Sequence, residues 1–318
     1  MSLHGSHARR LLAVASLASL GGCAVSAHGP IAPLALSAIS VHAARGALPK
    51  SYVYVANYFG SGGIDVYPAD VSGPRILRTI RTGVSEPNSI WVDASGKLYV
   101  ANAGTKDVTI YAAGASKPEL VLRDGLHFPD AVTTDAGGDV WVANANKANV
   151  VEYAPGGTEP IATLTNGIVL ADALAFDAAG NLYVANYTSD RSTLAPGNVL
   201  VYPPGATAPS TTIANGISVP AAIAIDAAQT LYVANDVGQG QGQIYEYALG
   251  ATTPTQTVWD GINYPTSVTV DAAGLMYVGD NVPNLVAEYA LGADYPTGSI
   301  LGKHLHPSAL AVFPAPNP

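Results

Sequence analysis

Short apolar runs separated by polar, Gly- and Pro-containing stretches recur along this chain, and one of them sets the period. An apolar residue, an aromatic, Val, Ala or Gly and then Asn or Asp stand at Tyr54-Val55-Ala56-Asn57, Leu98–Asn102, Val140–Asn144, Leu182–Asn186, Leu231–Asn235 and Met276–Asp280. The closing residues of these phrases lie 45, 42, 42, 49 and 45 positions apart. A period in the forties built from strands means units that stack on their neighbours to bury a shared core. That is the signature of a β-propeller.

Each unit divides into four strands, a to d. Strand a ends in an aspartate (Asp93, Asp135, Asp177, Asp226, Asp271) that stands nine positions before the Asn or Asp closing strand b. The turn between them, as in Asp177-Ala178-Ala179-Gly180-Asn181, carries a carboxylate to accept backbone N–H groups and a Gly for a positive φ, which is hairpin chemistry. Recurrence in every unit assigns these aspartates to the turn rather than to catalysis. Strand c ends in Tyr67, Tyr111, Tyr153, Tyr202, Tyr247 and Tyr289, and strand d follows, as at Glu119–Leu122, Ile161–Leu164 and Thr255–Val258. Strands a and b are apolar on both faces, as in sheets packed between two others, and strand d is more polar, as an outer edge should be. Arg75, Arg78 and Arg81 then read as charges that protect the first outer edge. The first unit starts at strand b, Tyr52–Asn57, and the chain ends on a lone strand a, Pro307–Phe313. The pattern therefore predicts an all-β, six-bladed propeller with four antiparallel strands per blade. Its ring is closed by the C-terminal strand a joining N-terminal strands b, c and d.

The consensus, Pro-x-x-apolar-Ala-apolar-Asp-Ala-x-Gly-x-Leu-Tyr-Val-Ala-Asn followed by an apolar-x-x-Tyr strand, resembles NHL-type repeats over roughly residues 51–313. The resemblance implies a six-bladed propeller of the NHL or SMP-30/gluconolactonase-like kind, whose relatives include lactonases, lyases such as virginiamycin B lyase, and binding or scaffolding propellers. Its enzymes hold metal ions at the axis. The chain departs from the pattern in two ways. Five units close strand b with Asn where NHL units commonly have Asp, which removes negative charge from one rim, and the early Glu-Gly-Pro and the Ser-Pro-Asp of the SMP-30 metal set are missing.

Composition adds compartment and partner. Apolar residues make up 48% against 12% charged, with 33 Gly and 23 Pro, which suits short buried strands and tight turns and excludes disorder. A net charge of −9 makes a poor partner for a phosphate backbone, so no nucleic-acid role is expected. Arg9-Arg10, the apolar run Leu11–Leu20 and the small residues after it read as an export signal over residues 1–22. Cys23, the sole cysteine, ends Leu20-Gly21-Gly22-Cys23, which resembles the lipobox of bacterial lipoproteins; the alternative is cleavage after Ala27 and plain secretion. Residues 23–50 then form a tether and 51–318 the propeller. Localisation is expected to be periplasmic or outer-membrane-anchored, with membrane contact only through the lipid. A monomer is expected.

Candidate chemistry lies where the repeat varies. Just after the Pro, or its equivalent, at the start of strand a stand Asn88, Asp130, Asp172, Ala221, Thr266 and Ser308. These place a carboxamide and two carboxylates on consecutive blades at the channel mouth, with Glu86 and His127 in the adjoining links. The loops from Tyr187 to Asn198 and from Asp236 to Gln243 belong to the same face. Of the propeller histidines His127, His304 and His306, none repeats. Two readings follow. One is a binding module taking a small molecule, glycan or protein on this face. The other is a metal-dependent lactonase-like hydrolase or lyase, with Asp130 and Asp172 as metal candidates and a shell suited to Ca²⁺ or Mg²⁺.

Overall fold

The computed structural model describes residues 51–59, 62–69, 75–187, 196–237, 240–282, 284–301 and 305–314. The export signal, Cys23, the tether and His304 lie outside these residues. Six four-stranded antiparallel sheets form a six-bladed β-propeller, and among the described residues there is no α-helix. From the axis outward, blade 2 consists of Pro87–Val92 (a), Leu98–Asn102 (b), Asp107–Tyr111 (c) and Leu120–Leu122 (d). Blade 3 has strand a at Pro129–Thr134 and strand b at Val140–Asn144. Strands a and b are Leu170–Phe176 and Leu182–Tyr187 in blade 4, Val219–Ile225 and Leu231–Asp236 in blade 5, and Pro265–Val270 and Met276–Asp280 in blade 6.

Blade 1 is shared between the ends of the chain. Pro307–Phe313 pairs with Tyr52–Asn57, with Tyr52 opposite Phe313 and Asn57 opposite Pro307. Ala309 and Ala311 pack into the core between blades 1 and 2, while Leu310 and Val312 pack into the core on the other face of the sheet, beside Tyr277 and Val286 of blade 6. Both ends of this pairing therefore matter: the Pro307 end lies at the channel mouth, and the Phe313 end lies at the opposite face among the a–b turns, where its ring meets Gly96.

The recurring polar residues prove to be pins. Each turn aspartate accepts backbone N–H groups across its hairpin, as Asp93 does from Ser95 at 2.8 Å and Lys97 at 3.0 Å. Its other oxygen takes the phenol of Tyr99, Tyr183 or Tyr232, which explains the aromatic in the repeated phrase. The asparagine closing strand b holds the link that enters its own blade. Asn144 Oδ1 accepts the His127 and Phe128 N–H groups and its amide donates to the Gly125 carbonyl; Asn186 and Asn235 do the same in blades 4 and 5. The strand-c tyrosine grips the preceding carbonyl of that link: Tyr153 to Asp124, Tyr202 to Asn166, Tyr247 to Asn215. These asparagines are at most 2% exposed, so they are buried connectors and not the rim groups that the Asn-for-Asp difference suggested.

Their amide is needed as a donor where strand c supplies a carboxylate. Asn57 donates to Asp65 and Asn102 to Asp107, whereas Asp280 stands opposite Leu285 and only accepts, from Asn263, Tyr264 and Val282. The arginines also differ from expectation. Arg75 and Arg81 lie outside the first strand d, Arg78–Ile80, and Arg78 donates to the Gly114 and Ala115 carbonyls of the neighbouring blade's turn, binding two blades together rather than guarding an edge.

Candidate functional site at the channel mouth

The ladder between strands a and b slips at one place in every blade, always at the mouth. In blade 2 Pro87 faces Asn102 and Ser89 faces Ala101, so Asn88 is the extra, unpaired residue of a β-bulge. The same slip makes Asp130, Asp172, Ala221, Thr266 and Ser308 the extra residues of blades 3, 4, 5, 6 and 1. A bulge re-aims the side chain it carries. Here six bulges direct six side chains to one axis, and all six line both the central channel and the cavity above it. Their variation in the sequence now has a cause. A residue released from the ladder carries no pairing constraint, so it differs from blade to blade while its neighbours do not.

The channel, about 120 Å³, is walled below the ring by apolar side chains such as Leu174, Ile223, Val268 and Leu310. The mouth cavity is larger, about 290 Å³, far above the ~15 Å³ that admits a single water. Its ring is cross-linked from blade to blade. Asn88 donates to the Asp130 carboxylate, Ser308 Oγ donates to the Pro87 carbonyl at 2.6 Å, and Thr266 Oγ1 donates to the Pro307 carbonyl. Innermost strands turn one edge to the axis, where backbone groups lack a ladder partner. Ser308, Thr266 and Ser89, whose Oγ accepts the Val132 N–H at 3.3 Å, satisfy part of that edge.

Other walls come from the connections and from the end of strand b in blade 4. Tyr58, Phe59, Tyr187, Asn281 and His306 complete the cavity. Tyr58 and Phe59 pack edge to face at 4.7 Å, and Phe59 meets the His306 ring at 6.0 Å. Burial, then the nearby Asp130 and Asp236 carboxylates, push the Tyr187 phenol well above its ordinary range; burial, Glu86 and Asp130 raise Tyr58. Sequence reading put the segment beginning at Tyr187 on this face but did not assign Tyr58, Phe59, Asn281 or His306 to the mouth. The available signal was the position directly after the closing Asn or Asp, which reads Tyr58, Ala103, Ala145, Tyr187, Asp236, Asn281 and varies as freely as the ring.

Of the five predicted site residues, Asn88, Asp130 and Asp172 meet at the mouth. Glu86 is exposed at its margin, where it accepts the Tyr58 hydroxyl at 3.4 Å. His127 does not join them. Asn144 holds its backbone N–H and its imidazole faces solvent, so it lines neither cavity. Among the described residues, the carboxylates close enough to offer three ligand atoms to one ion are Asp135, Asp139 and Glu152. They sit on the a–b turn and the adjoining strands of blade 3, where burial and mutual repulsion raise Asp139 and Glu152 above the usual carboxylate range.

No family model matches the chain, and no curated protein matches it in sequence. Solved structures do. A chain in the crystal structure of a nidogen/laminin complex superimposes with a TM-score of 0.69 at 14% identity, covering 82% of this chain and 98% of that one. A protein of unknown function from Bacteroides caccae gives 0.63 at 13%, covering 83% and 98%. These likenesses establish the fold. Hydrazine synthase of Kuenenia stuttgartiensis matches at 0.52 and 15% identity over 68% of this chain and 80% of its own. At such identities no residue role transfers.

Proposed function

We propose that this chain is a binding propeller of NHL type that takes its ligand at the channel mouth. The observation that carries the reading is the set of six bulges, which turn the non-repeating side chains into one cavity while every repeated polar residue is spent on holding the fold. The nidogen/laminin structure supports it to the extent that a similar propeller occurs in a complex of two proteins. A metal-dependent lactonase or lyase would draw on the same mouth, but there Asn88 is bonded to Asp130 and His127 is turned away. Filling the cavity tests the reading. Ala221, half-buried on the blade-5 bulge, has room above it for a larger side chain. After equilibration with a small-molecule extract of the source cells, native mass spectrometry should show an adduct on the wild type that Ala221→Trp lacks. An adduct kept equally by both proteins would place binding elsewhere.

We also infer export and acylation at Cys23, on the strength of the signal-like N-terminus and the single cysteine. Two acyl chains give stable anchoring where one is marginal. Cys23→Ser should move the protein from the membrane fraction to the soluble one, and a native mature chain that begins at His28 would overturn the inference.

A further inference from the structure

We propose that Asn166 and Asn215 are sites of spontaneous deamidation, and that Tyr202 and Tyr247 speed the reaction by donating to the oxygen on which charge develops. The two asparagines occupy the same turn in the links that enter blades 4 and 5. Thr165-Asn166-Gly167-Ile168 is closed by the Ile168 N–H on the Thr165 carbonyl at 3.3 Å. Ala214-Asn215-Gly216-Ile217 is closed by the Ile217 N–H on the Ala214 carbonyl at 3.2 Å. Gly167 and Gly216 take φ of +81° and +85°, which a side chain would oppose. Asn and Gly are exposed in both turns, while the isoleucines anchor them in the core.

The reaction needs a peptide nitrogen free to attack the side chain before it. Neither the Gly167 nor the Gly216 N–H makes a hydrogen bond among the described residues, and a glycine puts no Cβ in the way. The nitrogen loses its proton to hydroxide and attacks the Asn Cγ. A new N–C bond closes a succinimide ring as the Cγ–Nδ2 bond breaks, and the amide leaves as ammonia. Water then opens the imide at either carbonyl, giving aspartate or isoaspartate. Deprotonation is the costly step, and the charge it creates lies largely on the oxygen of the preceding carbonyl. That oxygen already accepts the Tyr202 hydroxyl in Asn166, at 2.5 Å, and the Tyr247 hydroxyl in Asn215, at 2.7 Å. A donor fixed in advance on an atom that becomes anionic lowers the cost of forming the anion. Burial pushes the Tyr202 phenol up to about 12 and Tyr247 well above its ordinary range, so both keep their proton in mildly alkaline solution.

The repeat shows which product the turn accepts. Blades 3 and 6 carry Asp124-Gly125 and Asp260-Gly261 at the same place, held by Tyr153 and Tyr289. Aspartate at 166 or 215 therefore fits. Isoaspartate lengthens the main chain inside the turn and displaces the Gly167 or Gly216 carbonyl, to which Asn186 and Asn235 donate. The two turns also differ. Asn215 Nδ2 reaches Thr253 Oγ1 at 3.4 Å, whereas the Asn166 amide makes no hydrogen bond among the described residues.

Ageing the full chain in mildly alkaline buffer, with peptide mapping by mass spectrometry at intervals, tests the proposal. A blocked Thr-Asn-Gly-Ile peptide in the same buffer serves as the clock. Asn166 and Asn215 should exchange NH2 for OH before the other asparagines, with Asn166 ahead of Asn215. Asn88, which precedes Ser89 and is bonded to Asp130, should stay intact. Tyr202→Phe should slow Asn166 roughly fivefold while Asn215 in the same sample keeps its rate. Tyr247→Phe should do the reverse, and it keeps the test alive if the first variant folds poorly. Both asparagines intact when the peptide has converted would overturn the sites. An unchanged or faster local rate in the phenylalanine variants would overturn the part given to the tyrosines, because a tyrosine that only stiffens the link protects it.

Discussion

Removing Pro307–Phe313 should abolish soluble monomer or collapse the melting temperature. The strand contributes six paired positions to Tyr52–Asn57 and buries Leu310 and Val312 on one face and Ala309 and Ala311 on the other. At about 1 kcal/mol net for each ladder hydrogen bond and about 2 kcal/mol for each large buried aliphatic side chain, the loss is on the order of 10 kcal/mol. That rivals the whole margin of a typical domain, about 5–15 kcal/mol. It also uncovers the edge of strand b, an invitation to pair with another copy. Size-exclusion chromatography and a thermal melt of the truncated chain provide the check. A monomer that melts within a few degrees of the intact protein would show that the ring does not depend on its shared blade.

Asn102→Leu should be the most damaging single substitution among the link pins. The Asn102 side chain is fully buried, accepts the Ser85 N–H at 2.9 Å and donates to the Gly83 carbonyl, Asp107 and Thr109. Leucine fills a similar volume but leaves a backbone N–H without its acceptor and removes a donor from Asp107, a buried carboxylate otherwise tied to Arg123 and Thr105. The expected cost is roughly 3 kcal/mol, or a melting temperature lower by roughly 6–12 °C for a domain of this size. A change of only a degree or two would mean that the link is held by Tyr111 and Thr109 alone, through the Thr82 and Gly83 carbonyls.

The fold was legible because each blade repeats the same solution. The nine-residue interval from turn aspartate to closing asparagine fixes an a–b hairpin, and the unmatched strands at the two ends can pair only with one another. The ring of Asn88, Asp130, Asp172, Ala221, Thr266 and Ser308 was legible for the same reason, since its register is counted from the start of strand a. Three things were not. A bulge adds no residue that a repeat can reveal when every blade has it. Tyr58, Phe59 and His306 reach the mouth from connections whose geometry the repeat does not encode. His127 was misplaced because a link residue is oriented by the backbone bond it makes, here to Asn144, and sequence proximity to the axis says nothing of that.

The shared blade also determines which side of the ring is open for business. Tyr52, where the chain enters the ring, pairs with Phe313, where it leaves, and both lie at the far end of the strands from Asn57 and Pro307 at the mouth. The first and last residues of the shared blade thus lie at the end of its strands away from the cavity. A bulky probe attached at Tyr52 or at Phe313 should therefore leave the mouth open to solutes. A carrier grafted onto the loop after Asn57 would stand in its doorway.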